Sequence, residues 1–206
     1  MKKIFLSITL VAVSVCAFAQ SASLGVKGGV NFANLSAQSS GGSTTYTTGQ
    51  LTTFSVGLFA DIKFAGLSLQ PALIYTGKGG QEDDNNGNVA QVKLYYLQVP
   101  VNLVYHIPAV IGNVYLGAGP YAAYGVSGKT KVITSGGSSV SDNVTFGDGI
   151  DDIKRTDIGL NGIAGIEFKN NFLIGLNYDL GLTNISNDNS VTTKTRVFGI
   201  SAGFKF

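Results

Sequence analysis

One residue limits the acid–base chemistry open to this sequence, because His106 is the only histidine among 206 residues. A Ser-His-acid hydrolase would have to use it. Such a triad also needs a hydrogen-bonded serine and an orienting acid, which sequence spacing alone cannot identify. His106 stands beside Ile107-Pro108, where a predicted strand ends. We interpret it as a polar residue at the rim of the fold and predict no catalytic residues.

Two acidic stretches offer hard oxygen ligands of the kind that calcium prefers. The first is 82–87, and the second contains Asp148, Asp151 and Asp152. An EF-hand loop closes with a bidentate glutamate, whereas Lys93 holds that place after the first stretch. We therefore interpret both as solvated loops and predict no metal site and no cofactor.

Two glycine-rich motifs resemble nucleotide-binding loops, but neither has the required context. The stretch 117–122 matches a loose dinucleotide fingerprint, which needs a turn that opens a helix, and these residues lie inside a predicted strand. Gly128-Lys129-Thr130 lacks the upstream glycine of a P-loop, since Ala123 holds that position. We interpret these glycines as sites where strands bend and leave room for inward tyrosines.

Residues 1–19 have the features of a secretory signal peptide. Lys2 and Lys3 precede the apolar run 4–15, and Ala17-Phe18-Ala19 forms an A-x-A cleavage site. The alternatives are an N-terminal membrane anchor and lipidation at Cys16. The apolar run is short for an anchor, and a valine precedes the cysteine where a lipoprotein has a small residue.

The mature chain, expected to be one domain over 20–206, would contain no cysteine and hence no disulfide. Loss of two lysines from 14 basic residues leaves 12 against 12 acidic residues, which gives no reason to expect nucleic acid as a partner. Past residue 19 there is no run of about 18 apolar residues, so no transmembrane helix is predicted. With 28 glycines and only 13% charged residues, the composition favours loop-rich β structure.

The closing stretch Arg196–Phe206 alternates with the period-2 pattern of a strand that has two different faces. Its apolar face carries Phe198, Ile200, Ala202, Phe204 and Phe206. An aromatic at a fraying end gains nothing in water, whereas the interfacial girdle of a membrane barrel accommodates it. Phe204 and Phe206 are therefore predicted to form an insertion signal, read by the barrel-assembly machinery through this strand.

Seven earlier stretches alternate in the same way, and a change of apolar parity near Tyr95–Leu97 predicts a β-bulge in the fourth of them. The predicted strands are Ser23–Ala33, Phe54–Phe64, Leu67–Lys78, Val92–Tyr105, Val114–Val126, Asp157–Phe168 and Phe172–Leu182. Short turns are predicted at Ala65-Gly66, Ile107–Asn113 and Lys169–Asn171. Long polar loops are predicted at Ser36–Gln50, Gly79–Asn88, Ser127–Arg155 and Ser186–Ser190.

Strands that cross a bilayer must close into a barrel, because lipid contains no water to pair an open strand edge. The predicted fold is an eight-stranded antiparallel up-and-down transmembrane β-barrel. An even strand count places both termini on the side of the short turns, which is periplasmic in outer-membrane barrels. The expected location is the cell outer membrane, with its lipids as neighbours and the long loops facing outward.

Four stretches resemble the outer-membrane β-barrel domain family that includes PorT-like proteins: 25–35, 96–100, 115–121 and 177–182. The similarity spans essentially the whole mature chain, and Gln98 stands where many relatives carry glutamate. The resemblance implies an outer-membrane barrel of unassigned function, often described as porin-like. It implies no catalytic or binding residue.

The inward positions of the predicted strands carry polar and charged side chains of both signs. A barrel of about eight strands has an interior just wide enough for side chains, and an unpaired charge is costly there. We therefore predict a filled lumen held by a connected ion-pair and hydrogen-bond network, with trapped water as the alternative partner for some groups. The predicted members are Lys27, Asp61, Lys63, Gln70, Tyr115, Tyr121, Asp157, Asn161, Glu167, Asn177, Asp179 and Lys205.

Two classes of function are compatible with this fold. The first is a non-enzymatic outer-membrane protein that displays extracellular loops for envelope structure or for an unidentified protein partner. The second is a lipid-acting outer-membrane enzyme or a narrow passive channel. The sole histidine is predicted at the end away from the long loops, which disfavours the enzyme, and the strand number disfavours the channel.

Overall fold

A computed structural model describes residues 22–39, 45–64, 66–84, 86–147, 149–150, 152–188 and 190–206. The predicted signal peptide and Cys16 lie outside the described residues, as do Ala65, Asp148 and Asp151. No helix within the described ranges is long and apolar enough to cross a membrane.

The described chain forms ten β-strands, all paired antiparallel. They are β1 (Ala22–Ser39), β2 (Thr45–Thr47), β3 (Leu51–Phe64), β4 (Leu67–Asp83), β5 (Val89–Ala109), β6 (Gly112–Ile133), β7 (Ser139–Asn143), β8 (Thr156–Phe168), β9 (Phe172–Gly181) and β10 (Val191–Lys205). Eight of them close into a ring in the order β1-β3-β4-β5-β6-β8-β9-β10, and β10 pairs back onto β1 from Gly25↔Lys205 to Ser39↔Val191. The predicted up-and-down barrel is confirmed.

The two ends of the barrel differ. The end at which the described chain begins at Ala22 and closes at Phe206 is here called the turn end. It has tight connections that include Gly66 (φ 83°) and Asn171 (φ 64°) in the left-handed region. The opposite end, here called the loop end, carries the long connections and the two short strands β2 and β7, which pair with β1 and β6.

The strands at the loop end are longer than predicted. The predicted loop Gly79–Asn88 contains the end of β4 and shrinks to 84–88, and the predicted loop Ser127–Arg155 contains the end of β6 and all of β7. Backbone pairing continues there between strands whose side chains are mostly polar, so an apolar alternation does not mark them. The prediction was wrong because it followed apolar residues alone.

A bulge lies at the predicted height, but its extra residue is on β6 and not on the strand for which it was predicted, β5. Tyr95 pairs with Ser127 and Tyr96 pairs with Gly125, so Val126 is unpaired in the ladder. Along β5 the alternation does not break, because Leu94, Tyr96 and Gln98 are all buried. The change of parity in the sequence instead marks the height at which the interior changes from polar to apolar.

Around the ring, outward side chains are apolar and inward ones are mostly polar or small. On β5, Leu97 and Val99 are 40% and 44% exposed, whereas Gln98 and Asn102 are 1% exposed. An outer face of this kind suits lipid. We call this outward apolar surface of the eight ring strands the apolar belt.

Two clusters of apolar side chains lie inside the barrel. One, toward the turn end, contains Phe59, Ala72, Ile74, Val104, Tyr115, Ile163 and Leu173. The other, here called the apolar cap, lies at the loop end and contains Leu94, Tyr96, Tyr121, Ala123, Phe146 and Ile185. Gly159 makes room for an inward tyrosine, because an ideal Cβ on it would lie 2.7 Å from the ring of Tyr121. The glycines for which this role was predicted have other neighbours: Gly117 faces Leu103 and Val104, Gly119 faces Val101, and Gly128 faces Leu94 and Val144. The prediction was therefore wrong for those three positions.

Candidate functional site

The polar interior is where the predicted site residues lie. Nine of the twelve are buried: Asp61, Gln70, Tyr115, Tyr121, Asp157, Asn161, Glu167, Asp179 and Lys205. Lys27 and Asn177 are half-buried, and Lys63 is exposed. The assignment of Lys63 to the interior was wrong, because it lies next to the β3–β4 turn where the barrel opens to solvent.

A first polar group, here called the turn-end group, forms around Lys205 on the closing strand. Its ammonium donates to Asp61 Oδ2 at 3.0 Å and to Glu167 Oε1 at 2.5 Å. Strands β3, β8 and β10 each supply one of these residues, so the group links strands that lie far apart in sequence. The Lys205 ammonium is thereby paired, as a buried charge requires. The two carboxylates share this one cation, and Asp61 Oδ1 and Glu167 Oε2 have no hydrogen-bond partner among the described residues.

The sole histidine belongs to the turn-end group. His106 Nε2 lies 2.9 Å from Ser68 Oγ and 3.7 Å from Asp61 Oδ1, and its Nδ1 lies 3.9 Å from Glu167 Oε2. A serine, a histidine and an acid therefore meet, but Ser68 is completely buried and neither acid is within hydrogen-bond distance of the imidazole. The group does not present an open nucleophile.

A second polar group surrounds Asp157 near the loop end. Its Oδ2 accepts from Lys78 Nζ at 2.8 Å, from Thr195 Oγ1 at 2.8 Å and from Tyr121 OH at 3.2 Å. Lys78 and Asp157 are both completely buried, and the Lys78 ammonium lies 4.2 Å from the Tyr121 ring centroid. Ring contact and ion pair together hold the cation beneath the apolar cap.

A third polar group lies between the other two. Asp179 accepts from Gln98 Nε2 at 3.0 Å and from Asn161 Nδ2 at 2.5 Å, and Asn102 Nδ2 donates to Asn161 Oδ1 at 2.6 Å. The interior therefore contains three hydrogen-bonded groups with carboxylates at successive heights. A further group without a carboxylate surrounds Asn31, whose Nδ2 donates to Thr76 Oγ1 at 2.9 Å and whose Oδ1 accepts from Ser55 Oγ at 3.3 Å.

Two small cavities lie within this interior. They measure about 30 Å³ and 20 Å³, and both are lined by Lys27, Asn177 and Ser201. Each is large enough for a water molecule and has polar walls. Among the described carboxylates, none forms an ion pair with Lys27, whose ammonium lies 5.9 Å from the Phe59 ring centroid.

Sequence reasoning left several interior residues out of the predicted network: Asn31, Ser68, Thr76, Lys78, Gln98, Asn102, His106 and Thr195. A signal for Lys78 was available, because it has the same strand parity as Gln70. The partners of His106 had no such signal, since they come from β3, β4 and β8 at registers that the sequence does not state.

In the first acidic stretch Asp84 uses its carboxylate locally, whereas Glu82 Oε1 accepts from Tyr46 OH at 2.9 Å. Asp84 accepts from the backbone amides of Asn86 and Asn88, both at 2.8 Å, and from the Asn88 side chain at 2.7 Å. The Asn88 side chain, followed by its backbone amide, holds the pKa of Asp84 below its ordinary value. Within the described ranges no three His, Cys, Asp or Glu residues are placed to hold a metal ion.

The chain terminus completes the seam of the barrel. Phe206 N donates to Leu24 O at 2.7 Å, and the Phe204 and Phe206 rings pack edge to face at 5.5 Å. Phe206 is 70% exposed at the turn end. Its role as an insertion signal stays a prediction.

The family model described as "Outer membrane protein beta-barrel domain" matches residues 18–187. The comparison with curated proteins finds no match. Similar solved structures include Ail, the attachment invasion locus protein of Yersinia pestis (16% identity, 90% of this chain and 99% of that chain, TM-score 0.45), and Neisserial surface protein A (19%, 90% and 99%, TM-score 0.46). The N-terminal β-barrel domain of Pseudomonas aeruginosa OprF is similar at 12% identity over 86% and 97% of the two chains, with a TM-score of 0.35.

Proposed function

Because this chain belongs to the outer membrane protein β-barrel domain family and is an integral outer-membrane barrel, we propose that it is a non-enzymatic protein whose filled barrel displays its loops on the cell surface. Both termini then face the periplasm, as even-stranded barrels with short periplasmic turns require. Membrane lipids surround the belt, the assembly machinery engages the closing strand, and a protein partner binds at the loops.

The observation that supports a filled lumen is the stack of buried side chains across its width. Lys205, Asn102 and Lys78, from the three polar groups, are 4%, 1% and 0% exposed. Tyr115 and Tyr121 fill the space between, and the two cavities described above are of water size. A barrel packed in this way leaves no continuous path for a nutrient.

Conductance in planar bilayers tests this proposal. The wild-type protein should show no stable porin-sized opening, whereas Tyr115→Ala/Tyr121→Ala, which removes two large inward rings, should leak measurably. A reproducible, ion-selective channel in the wild-type protein would overturn the filled lumen. A shift in gel migration on heating shows that each protein is folded. Absence of conductance can then not be explained by unfolded protein.

Proteolysis of intact cells tests the orientation separately. The connection 134–138, between β6 and β7, is exposed, as loop tips that attract proteases are. Added protease should cut there and spare the β3–β4 turn at Gly66. Cleavage at Gly66 that leaves 134–138 intact would mean that the turn end, and not the loop end, faces the outside of the cell.

A partner at the loops is tested by crosslinking and pull-down from intact membranes. A protein captured by the wild-type chain should be lost when 134–138 is replaced by a short glycine turn. Capture that is unchanged by this replacement but lost when the 169–171 turn is altered would place the partner at the periplasmic side instead.

A further inference from the structure

The outward face changes chemistry at the loop-end edge of the belt. On β5 the outward apolar series ends at Tyr95, and the next outward residue is Lys93. Tyr95 stacks on Tyr75 with ring centroids 5.3 Å apart and packs against Phe54 at 5.6 Å. Aromatic rings of this kind mark the membrane interface, so Lys93 lies at the height of the lipid headgroups.

Three lysines meet at this height. Lys93 and Lys129 are direct cross-strand partners, and Lys131 follows two residues later on the same face of β6. Like charges directly opposite each other destabilise a sheet. No described carboxylate forms an ion pair with any of the three, since the ion pairs among the described residues all lie inside the barrel.

Arg155 extends the basic surface along the other side of β6. Its guanidinium carbon lies 5.6 Å from the ring centroid of Tyr124, and its Nη2 donates to Phe146 O at 2.7 Å. The Arg155 backbone carbonyl accepts from Gly125 N at 2.6 Å, which fixes the residue at the upper edge of the belt. The remaining N–H groups of the guanidinium are available to an acceptor from outside.

We propose that Lys93, Lys129, Lys131 and Arg155 form a binding site for phosphate groups on lipid headgroups of the leaflet at the loop end. Lysine and arginine bind phosphate through charge-assisted hydrogen bonds, and an anion between Lys93 and Lys129 would remove their repulsion. The lipid is favoured over free phosphate because the cations lie directly above rings that anchor in the same interface. This site is independent of whether the lumen is filled, and the lipid used in its test rests on the proposed orientation, with the loop end at the cell surface.

The test uses the full folded chain in micelles of a neutral detergent. Native mass spectrometry measures retention of a saccharide lipid with phosphomonoesters, of the same lipid after dephosphorylation, and of inorganic phosphate. Lys93→Gln/Lys129→Gln should weaken binding of the phosphorylated lipid roughly 30-fold, from the usual contribution of two basic residues near an anionic surface. Lys63→Gln/Lys169→Gln makes the same change of charge at the turn end and should leave binding within about twofold, because those lysines lie far from the site.

Three results would overturn the site: equal retention of the dephosphorylated lipid, equal losses in the two double variants, or binding of inorganic phosphate as tight as that of the lipid. A measurement of stability separates binding from folding. In neutral detergent without the lipid, Lys93→Gln/Lys129→Gln should be at least as resistant to urea as the wild-type protein, because it loses a repulsion. Unfolding at lower urea there would assign the lysines a structural role and overturn the proposal.

Discussion

The belt and the loop-end extension of the same strands have opposite polarity. Within the belt, Val99 faces outward and Asn102 inward, whereas beyond the bulge Lys93 faces outward and Leu94 inward. On β5 the period of two continues across the change, and its ladder with β4 is unbroken from Ile74↔Gln98 to Asp83↔Val89. The surroundings outside the barrel set which face is apolar: lipid chains lie around the belt, and headgroups and water lie around the extension.

The largest expected effect lies at the boundary of the two regions. Asp157→Asn would leave the Lys78 ammonium buried without a counter-ion, and the free energy of unfolding should fall by about 3–5 kcal/mol. Urea unfolding in lipid vesicles measures the loss. The double variant Lys78→Met/Asp157→Asn should recover part of it, because the orphaned charge is gone. A loss of less than about 1 kcal/mol in the free energy of unfolding of Asp157→Asn would show that the Lys78–Asp157 ion pair does not stabilise the barrel at this boundary.

Two leucines on β5, one inside the barrel and one on its outer face, allow the two regions to be compared directly. Leu94 is 0% exposed in the apolar cap, and Leu97 is 40% exposed on the belt. Leu94→Ala should cost about 2–5 kcal/mol because it leaves a cavity among fixed neighbours. Leu97→Ala should cost less, since lipid chains move into the space. Equal losses, or a larger loss for Leu97→Ala in the same urea assay, would contradict a packed cap.

A lysine introduced on the outward face should be tolerated differently on the belt and on the extension. Val99→Lys puts a charge on the belt and should destabilise the folded protein by about 2–4 kcal/mol. Gln91→Lys puts it on the same face of the same strand beyond the girdle and should cost about 0–1 kcal/mol. Similar values for the two variants in vesicle unfolding would mean that the apolar belt does not end where the structure places it.

The smallest expected effect is the pH dependence of the 84–88 loop. The pKa of Asp84 is lowered in the folded loop, so its contribution to local order is present above the ordinary value of 3.8 and is lost as pH falls below it. Amide exchange at Asn86 and Asn88 should therefore lose protection at low pH. Asp84→Ala should remove that protection at neutral pH, whereas Asp83→Asn, beside it, should not. Protection that is unchanged in Asp84→Ala would contradict the loop geometry.

The sequence was most informative where lipid selects the residues. In the belt, every outward position must be apolar, so alternation alone predicted the ring strands, the short turns and the inward parity of Asp61 and Asp157. Beyond the belt, Lys129 and Ser141 lie on the outward face of paired strands, outside the hydrocarbon layer, and nothing in their polarity distinguishes strand from loop. The extensions of β4 and β6 were missed for this reason.

Partners within the interior were harder to predict than positions. Parity gives the face of a residue but not its height, and height depends on the register of each strand pair. Asp61 and Glu167 were predicted to point inward, yet their meeting at Lys205 and His106 depends on the closure of β10 onto β1. Lys63 had the correct parity, but its place beside a turn left it in solvent.

Accessibility along β5 tests the reversal of polarity most directly. The predicted mature chain has no cysteine, so single spin-labelled cysteines can replace the outward residues Gln91, Lys93, Leu97, Val99 and Leu103 in turn. In vesicles, labels at 97, 99 and 103 should be relaxed by oxygen, which concentrates in lipid, and labels at 91 and 93 by a water-soluble nickel complex. Nickel access at 97–103, or oxygen access alone at 91 and 93, would contradict a barrel whose polarity reverses at the bulge.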